Sequence, residues 1–112
     1  KTGGYKVQPE EVEAALAGLS RCGQVVVTSL ASDYWGEVIV AATENAKDGW
    51  EAEGRGRIAS LSKHKHPRAW IALEALPRNP QGKVSRKEVA KMIAARYSLA
   101  DGPHPSLVER DR

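Results

Sequence analysis

Cysteine is nearly absent. Cys22 is the only one, so no intrachain disulfide can form and no zinc cluster can be built from thiolates. A chain of this kind suits a reducing compartment, and the cytoplasm is the expected location. No apolar run approaches the roughly 20 residues that a membrane-spanning helix needs, so no span is expected. The N-terminus also lacks the charged-then-apolar order of a secretory signal. Long blocks of one charge sign are missing, as are internal repeats. Lys plus Arg number 17 against 14 Asp plus Glu, and the resulting net charge of +3 is a mild bias toward anionic partners that does not choose among them.

What is present supports one modest core: 112 residues, 41% of them hydrophobic, predict a single domain. Lys1 is not a translation start, and the chain runs at once into Gly3-Gly4, so a piece of a longer protein is expected. Tyr5 to Val7 reads as a short extended segment. Pro9 then opens a helix with Glu10, Glu11 and Glu13 in its first turn, where acids favour a helix start. Val12, Leu16 and Leu19 give that helix one apolar stripe, and it should stop near residue 20.

Val25-Val26-Val27 and Val38-Ile39-Val40 are β-branched runs separated by Ser32-Asp33 and Gly36, which predicts two adjacent antiparallel strands over residues 24–30 and 37–42. A helix over 51–63 rests on Ile58 and Leu61, despite Gly54 and Gly56. Ala69 to Leu73 reads as a strand. Ser85 to Tyr97 reads as a helix with Ser85 at its N-cap. The expected architecture is a small α+β domain: a short antiparallel sheet of about three strands plus an N-terminal hairpin-like segment, flanked by helices. Residues 1–97 form the domain; residues 98–112, with Gly102, Pro103, Pro105 and several charges, are expected to be a polar, flexible tail.

The chemistry-bearing stretch lies between the last strand and the last helix: Leu76-Pro77-Arg78-Asn79-Pro80-Gln81-Gly82-Lys83-Val84-Ser85-Arg86. Prolines stiffen this loop and Gly82 permits a tight turn immediately before Lys83, which is thereby presented to solvent. A long-stemmed ammonium on a rigid loop can bridge a phosphate and a carboxylate oxygen. It is not a P-loop lysine, because Pro77 stands where that motif needs glycine and Val84 where it needs Ser or Thr. Taken alone, a Gly-Lys pair more often just decorates a loop.

The wider pattern resembles the adenylate-forming (AMP-binding) superfamily: acyl-CoA synthetases, aryl-CoA ligases, peptide-synthetase adenylation domains and luciferases. Its C-terminal domain closes with Leu-Pro, several residues, Gly-Lys and a basic residue, as in residues 76–86. It opens with a basic residue, Gly-Gly-aromatic-basic-Val, then Pro and Glu-Val-Glu, similar to Lys1 to Val7, Pro9 and Glu11-Val12-Glu13. Between them Asp33-Tyr34-Trp35-Gly36-Glu37 and Lys65-His66-Pro67-Arg68 match two further family segments. The resemblance covers residues 1 to about 97.

The resemblance implies a mobile lid domain of an ATP-dependent ligase of the acyl-CoA synthetase or fatty-acid-CoA ligase type. Such enzymes join a carboxylate to ATP and then rotate the domain so that its other face completes a thiol-transfer site. Carried over, Lys83 is the catalytic lysine of adenylation, bridging carboxylate and α-phosphate. Lys1 and Lys6 join Lys83 in binding the nucleotide phosphate, and Gly3 and Gly4 line the tunnel for coenzyme A. The substrates of the full enzyme are then ATP with Mg2+, coenzyme A and a carboxylic acid of unspecified class, none of them bound by this domain alone. Its principal partner is its own N-terminal catalytic domain, which in the family carries the phosphate loop and the acyl pocket. Without that domain and the hinge residue, the piece is expected to be inactive. Lys83 also resembles sites silenced by a protein acetyltransferase, since acetylation removes the cation.

Two rivals remain at this point. A peptide-synthetase adenylation domain would continue into a carrier domain, whereas this chain trails into polar residues. A nucleic-acid module using Arg55, Arg57, Lys63, Lys65 and Arg68 would show steeply salt-dependent RNA binding; no nucleic-acid partner is expected. Tyr34 and Trp35 are read as packing, and His64 and His66, lacking a third ligand, predict no metal site.

Overall fold

A computed structural model of the chain describes residue 4 and residues 6–110. Pro9 presets the first helical φ of α1 (Pro9–Ala15), with Glu10 and Glu11 in its first turn. The helix is shorter than its sequence pattern implies. At Leu16 the N–H turns to the Val12 and Glu13 carbonyls, and Gly18 adopts a φ of 76°. The apolar stripe is as expected: Val12, Leu16 and Leu19 are all buried.

Strands β1 (Val25–Ser32) and β2 (Gly36–Glu44) pair antiparallel, from Val25 opposite Thr43 to Ser32 opposite Gly36. Their runs are apolar without alternation because both faces of the sheet are covered. One face packs Val25, Val27, Ile39 and Ala41 against Val12, Leu16 and Ile58. The other packs Val26, Val40 and Ala42 against Val89 and Ile93.

Helix α2 (Trp50–Arg57) follows, then a single 3-10 turn at Lys63–Lys65 and strand β3 (Ala69–Leu73). Gly54 is required here, because a Cβ on it would come within 2.5 Å of Trp70 Cζ3. The third strand corrects the sequence reading in one respect: β3 lies beside β2 but runs parallel to it, with Val40 opposite Ala69 and Glu44 opposite Leu73. The sheet is therefore mixed, in the order β1-β2-β3. The reason is that residues 45–68 carry α2 between the two strands, and such a crossover returns the chain in its original direction, which a tight turn cannot do.

Helix α3 (Arg86–Arg96) starts as its sequence dictates: the Glu88 N–H donates to Ser85 Oγ at 3.3 Å. Beyond it the reading of a tail from residue 98 needs correcting. Strands β4 (Tyr97–Ala100) and β5 (Ser106–Glu109) form an antiparallel hairpin, with Tyr97 opposite Glu109 and Ala100 opposite Ser106. Gly102, Pro103 and Pro105 occupy its loop. Asp101 then fastens that loop to the β1–β2 turn: its Oδ1 accepts from Ser32 Oγ at 2.7 Å, and its Oδ2 accepts from the Asp33 N–H at 2.8 Å. The N-terminal hairpin-like segment falls largely outside the described residues.

Candidate functional site

The loop between β3 and α3 is itself a small hairpin. Arg78 and Val84 form an antiparallel bridge, and the turn between them is organised by Asn79. The Asn79 N–H donates to the Lys83 carbonyl at 2.9 Å, and its own carbonyl accepts from the Gly82 N–H at 2.9 Å. Asn79 Oδ1 accepts from the N–H groups of Gln81 and Lys83, both at 3.0 Å. Gly82 sits at a φ of 83°, which a side chain would disfavour. Lys83 follows at the tip. It is exposed, and among the described residues its ammonium has no hydrogen-bonding or ionic partner.

The two ends of this loop are braced by arginine–carboxylate pairs that the sequence did not announce. At the start, Glu44, the last residue of β2, accepts from the Leu76 N–H at 2.8 Å and from Arg78 Nη1 at 2.9 Å through Oε1, and from Arg78 Nη2 through Oε2. These hydrogen bonds, those of Arg78 foremost, hold the Glu44 carboxyl down at about 2 although burial opposes the charge. At the far end, Arg86 Nη2 donates to Glu13 Oε2 at 2.7 Å, and Arg86 Nε donates to the Val27 carbonyl at 2.9 Å. A charge ending an otherwise apolar strand was the one sequence signal that could have singled out Glu44.

The other residues singled out from the sequence are placed less completely. Lys1 and Gly3 lie outside the described residues. Gly4 is exposed at a φ of 85° with open space where a Cβ would stand, as befits a tight turn. Lys6 is exposed, and no hydrogen bond or ion pair joins it to the Lys83 loop.

Trp35 is held in place, its Nε1 donating to the Gly102 carbonyl at 2.8 Å while the Arg68 guanidinium lies 3.8 Å from its ring centroid. Arg68, Arg55, Lys63, His66 and His104 line one open groove. His66 Nε2 is engaged by the Leu61 carbonyl at 2.9 Å, and no group of metal-ligating side chains forms among the described residues. Among those residues no helix is long and apolar enough to cross a membrane.

No protein-family model matches the chain. It is 30% identical to the 4-chlorobenzoate--CoA ligase of Pseudomonas sp. (strain CBS-3), over 97% of its own length and 21% of that relative's. Among solved structures, a Mycobacterium tuberculosis fatty acyl CoA synthetase matches with a TM-score of 0.74 at 30% identity, covering 84% of this chain and 19% of that one. The o-succinylbenzoate CoA synthetase from Bacillus subtilis, in complex with an acyl-adenylate intermediate, matches with a TM-score of 0.68 at 28% identity, covering 79% and 18%. The chain spans about a fifth of the length of the curated relatives it matches.

Proposed function

Because this chain belongs to the adenylate-forming acyl-CoA ligases as their C-terminal domain, we propose that it supplies Lys83 to the adenylation step of an ATP-dependent acyl-CoA synthetase. In that reaction a carboxylate oxygen attacks the α-phosphorus of ATP, which enters as its magnesium complex, and pyrophosphate leaves. The thiolate of coenzyme A then attacks the acyl carbon, and AMP leaves.

One observation carries the reading: an exposed lysine with no partner among the described residues stands at the tip of a hairpin braced at both ends. An unneutralised cation held in place is suited to negative charge that develops between a carboxylate and a phosphate, since it needs little reorganisation when that charge appears. Lys6, with Lys1, would add positive charge near the nucleotide, and the Gly3-Gly4 turn would let the thin pantetheine arm pass against bare backbone. The larger catalytic domain would provide the acyl pocket and the remaining phosphate contacts, in the cytoplasm where ATP and coenzyme A are supplied. Acetylation of Lys83 by a protein acetyltransferase would silence the first step.

The test compares the full-length ligase with its Lys83→Ala variant in two assays, ATP-dependent adenylation and CoA transfer from supplied acyl-adenylate. Loss of adenylation with CoA transfer retained is expected. Undiminished adenylation would overturn the assignment of Lys83.

A further inference from the structure

The Glu44–Arg78 pair does more than close the core. Leu76 and Val89 are buried in the core on their own account, while Glu44 is only 9% exposed and directs its carboxylate at the entrance of the Lys83 hairpin. Both oxygens face the Arg78 guanidinium, and this planar fork fixes orientation as well as distance. Arg78 Nη1 also donates to the Leu76 carbonyl at 3.2 Å, so the guanidinium is held from two sides.

The backbone of Arg78 is bridged to Val84, the immediate neighbour of Lys83. A continuous path therefore runs from the end of β2 through Glu44 and Arg78 to Val84 and Lys83. Lys83 has no side-chain partner of its own among the described residues, so its aim is inherited from this stalk.

The pair is only partly buried, the Arg78 side chain being 38% exposed; removing one partner strands the other, whereas replacing both together often costs little, because desolvation offsets much of the attraction. What a two-point fork does supply is direction. We propose that Glu44 and Arg78 are positioning residues for Lys83, needed for adenylation and not for CoA transfer; this rests on the reading of Lys83 given above.

The test uses the full-length ligase carrying Glu44→Gln, Arg78→Lys, or Glu44→Gln with Arg78→Met, beside Lys83→Ala. The double variant removes both charges yet keeps an acceptor for the Leu76 N–H. Adenylation kcat should fall by roughly 10- to 100-fold in all three, the cost of about 1 Å of misplacement. The KM for ATP and the rate of CoA transfer should stay near wild type, and the double variant should melt near the wild-type temperature. Wild-type adenylation in the double variant, or equal losses in both half-reactions, overturns the positioning role. Should Lys83→Ala itself adenylate normally, the assignment of Lys83 fails instead, whatever the clamp variants do.

Discussion

Arg86 and Glu13, 73 positions apart, meet with Nη2 at 2.7 Å from Oε2, and that same oxygen accepts the Val27 N–H at 2.8 Å. One carboxylate thus ties α1, the outer edge of β1 and the start of α3 together. It also satisfies the Val27 N–H, while Arg86 Nε satisfies the Val27 carbonyl, two groups that an edge strand would otherwise leave open to pairing with other chains.

Replacing Glu13 with Ala should therefore cost about 1–3 kcal/mol, since it strips partners from both Arg86 and a backbone N–H. Glu11 makes an exposed pair with Lys65 at 2.9 Å, and Glu11→Ala should cost no more than about 1 kcal/mol. Urea midpoints of the two variants, with unchanged slopes, check the order.

Acid stability should report on Glu44. Its carboxyl ionises at about 2 in the fold against an ordinary 4.5, so the folded state is favoured by its charge above about 4.5. That contribution is lost as pH falls from 4.5 toward 2. Asp101, held low chiefly by the Ser32 hydroxyl, and Glu53, held low chiefly by the Ser20 N–H, act in the same direction. Glu44→Gln should be less stable than wild type at pH 7 and should converge with it near pH 2. Thermal melts across this range give the comparison.

The two glycines of α2 should respond in opposite senses to alanine. At Gly54 the new methyl meets the Trp70 ring at 2.5 and 2.9 Å and Leu16 at 3.3 Å, so Gly54→Ala should destabilise by about 1–3 kcal/mol. At Gly56 nothing lies within 4 Å, and Gly56→Ala should stabilise by up to about 1 kcal/mol through helix propensity. Thermal melts of the two variants should move apart.

Asp101→Ala should release the β4–β5 hairpin from the β1–β2 turn. The carboxylate accepts from Ser32, Asp33, Tyr34 and Gly102, and the adjacent Gly102 carbonyl holds the Trp35 indole. Faster amide exchange at Asp33 and Tyr34 and a shifted tryptophan emission are the expected readouts, with the β1–β2 core amides unchanged.

Much of this architecture is written locally. The valine-rich runs mark β1 and β2, Ala69 to Leu73 marks β3, Pro9 starts α1, and Ser85 caps α3. Pro77, Pro80 and Gly82 announce a stiff turn presenting Lys83. Helix ends were less legible: α1 stops at Ala15 and α2 at Arg57, where the chain turns back onto the sheet instead of following its apolar spacing.

What the sequence determined by itself is whatever depends on neighbours a few positions apart: burial periodicity, caps, turn residues and the motif around Lys83. Tertiary structure alone decided the parallel course of β3, the pairing of residues 97–109 and the two arginine braces. Each of these joins groups far apart in the chain. Glu44 and Arg78 are 34 positions apart, and Ser32 and Asp101 are 69 apart. No local propensity encodes such a pair, because its free energy exists only once the sheet has brought both partners together and excluded the water that would otherwise satisfy them.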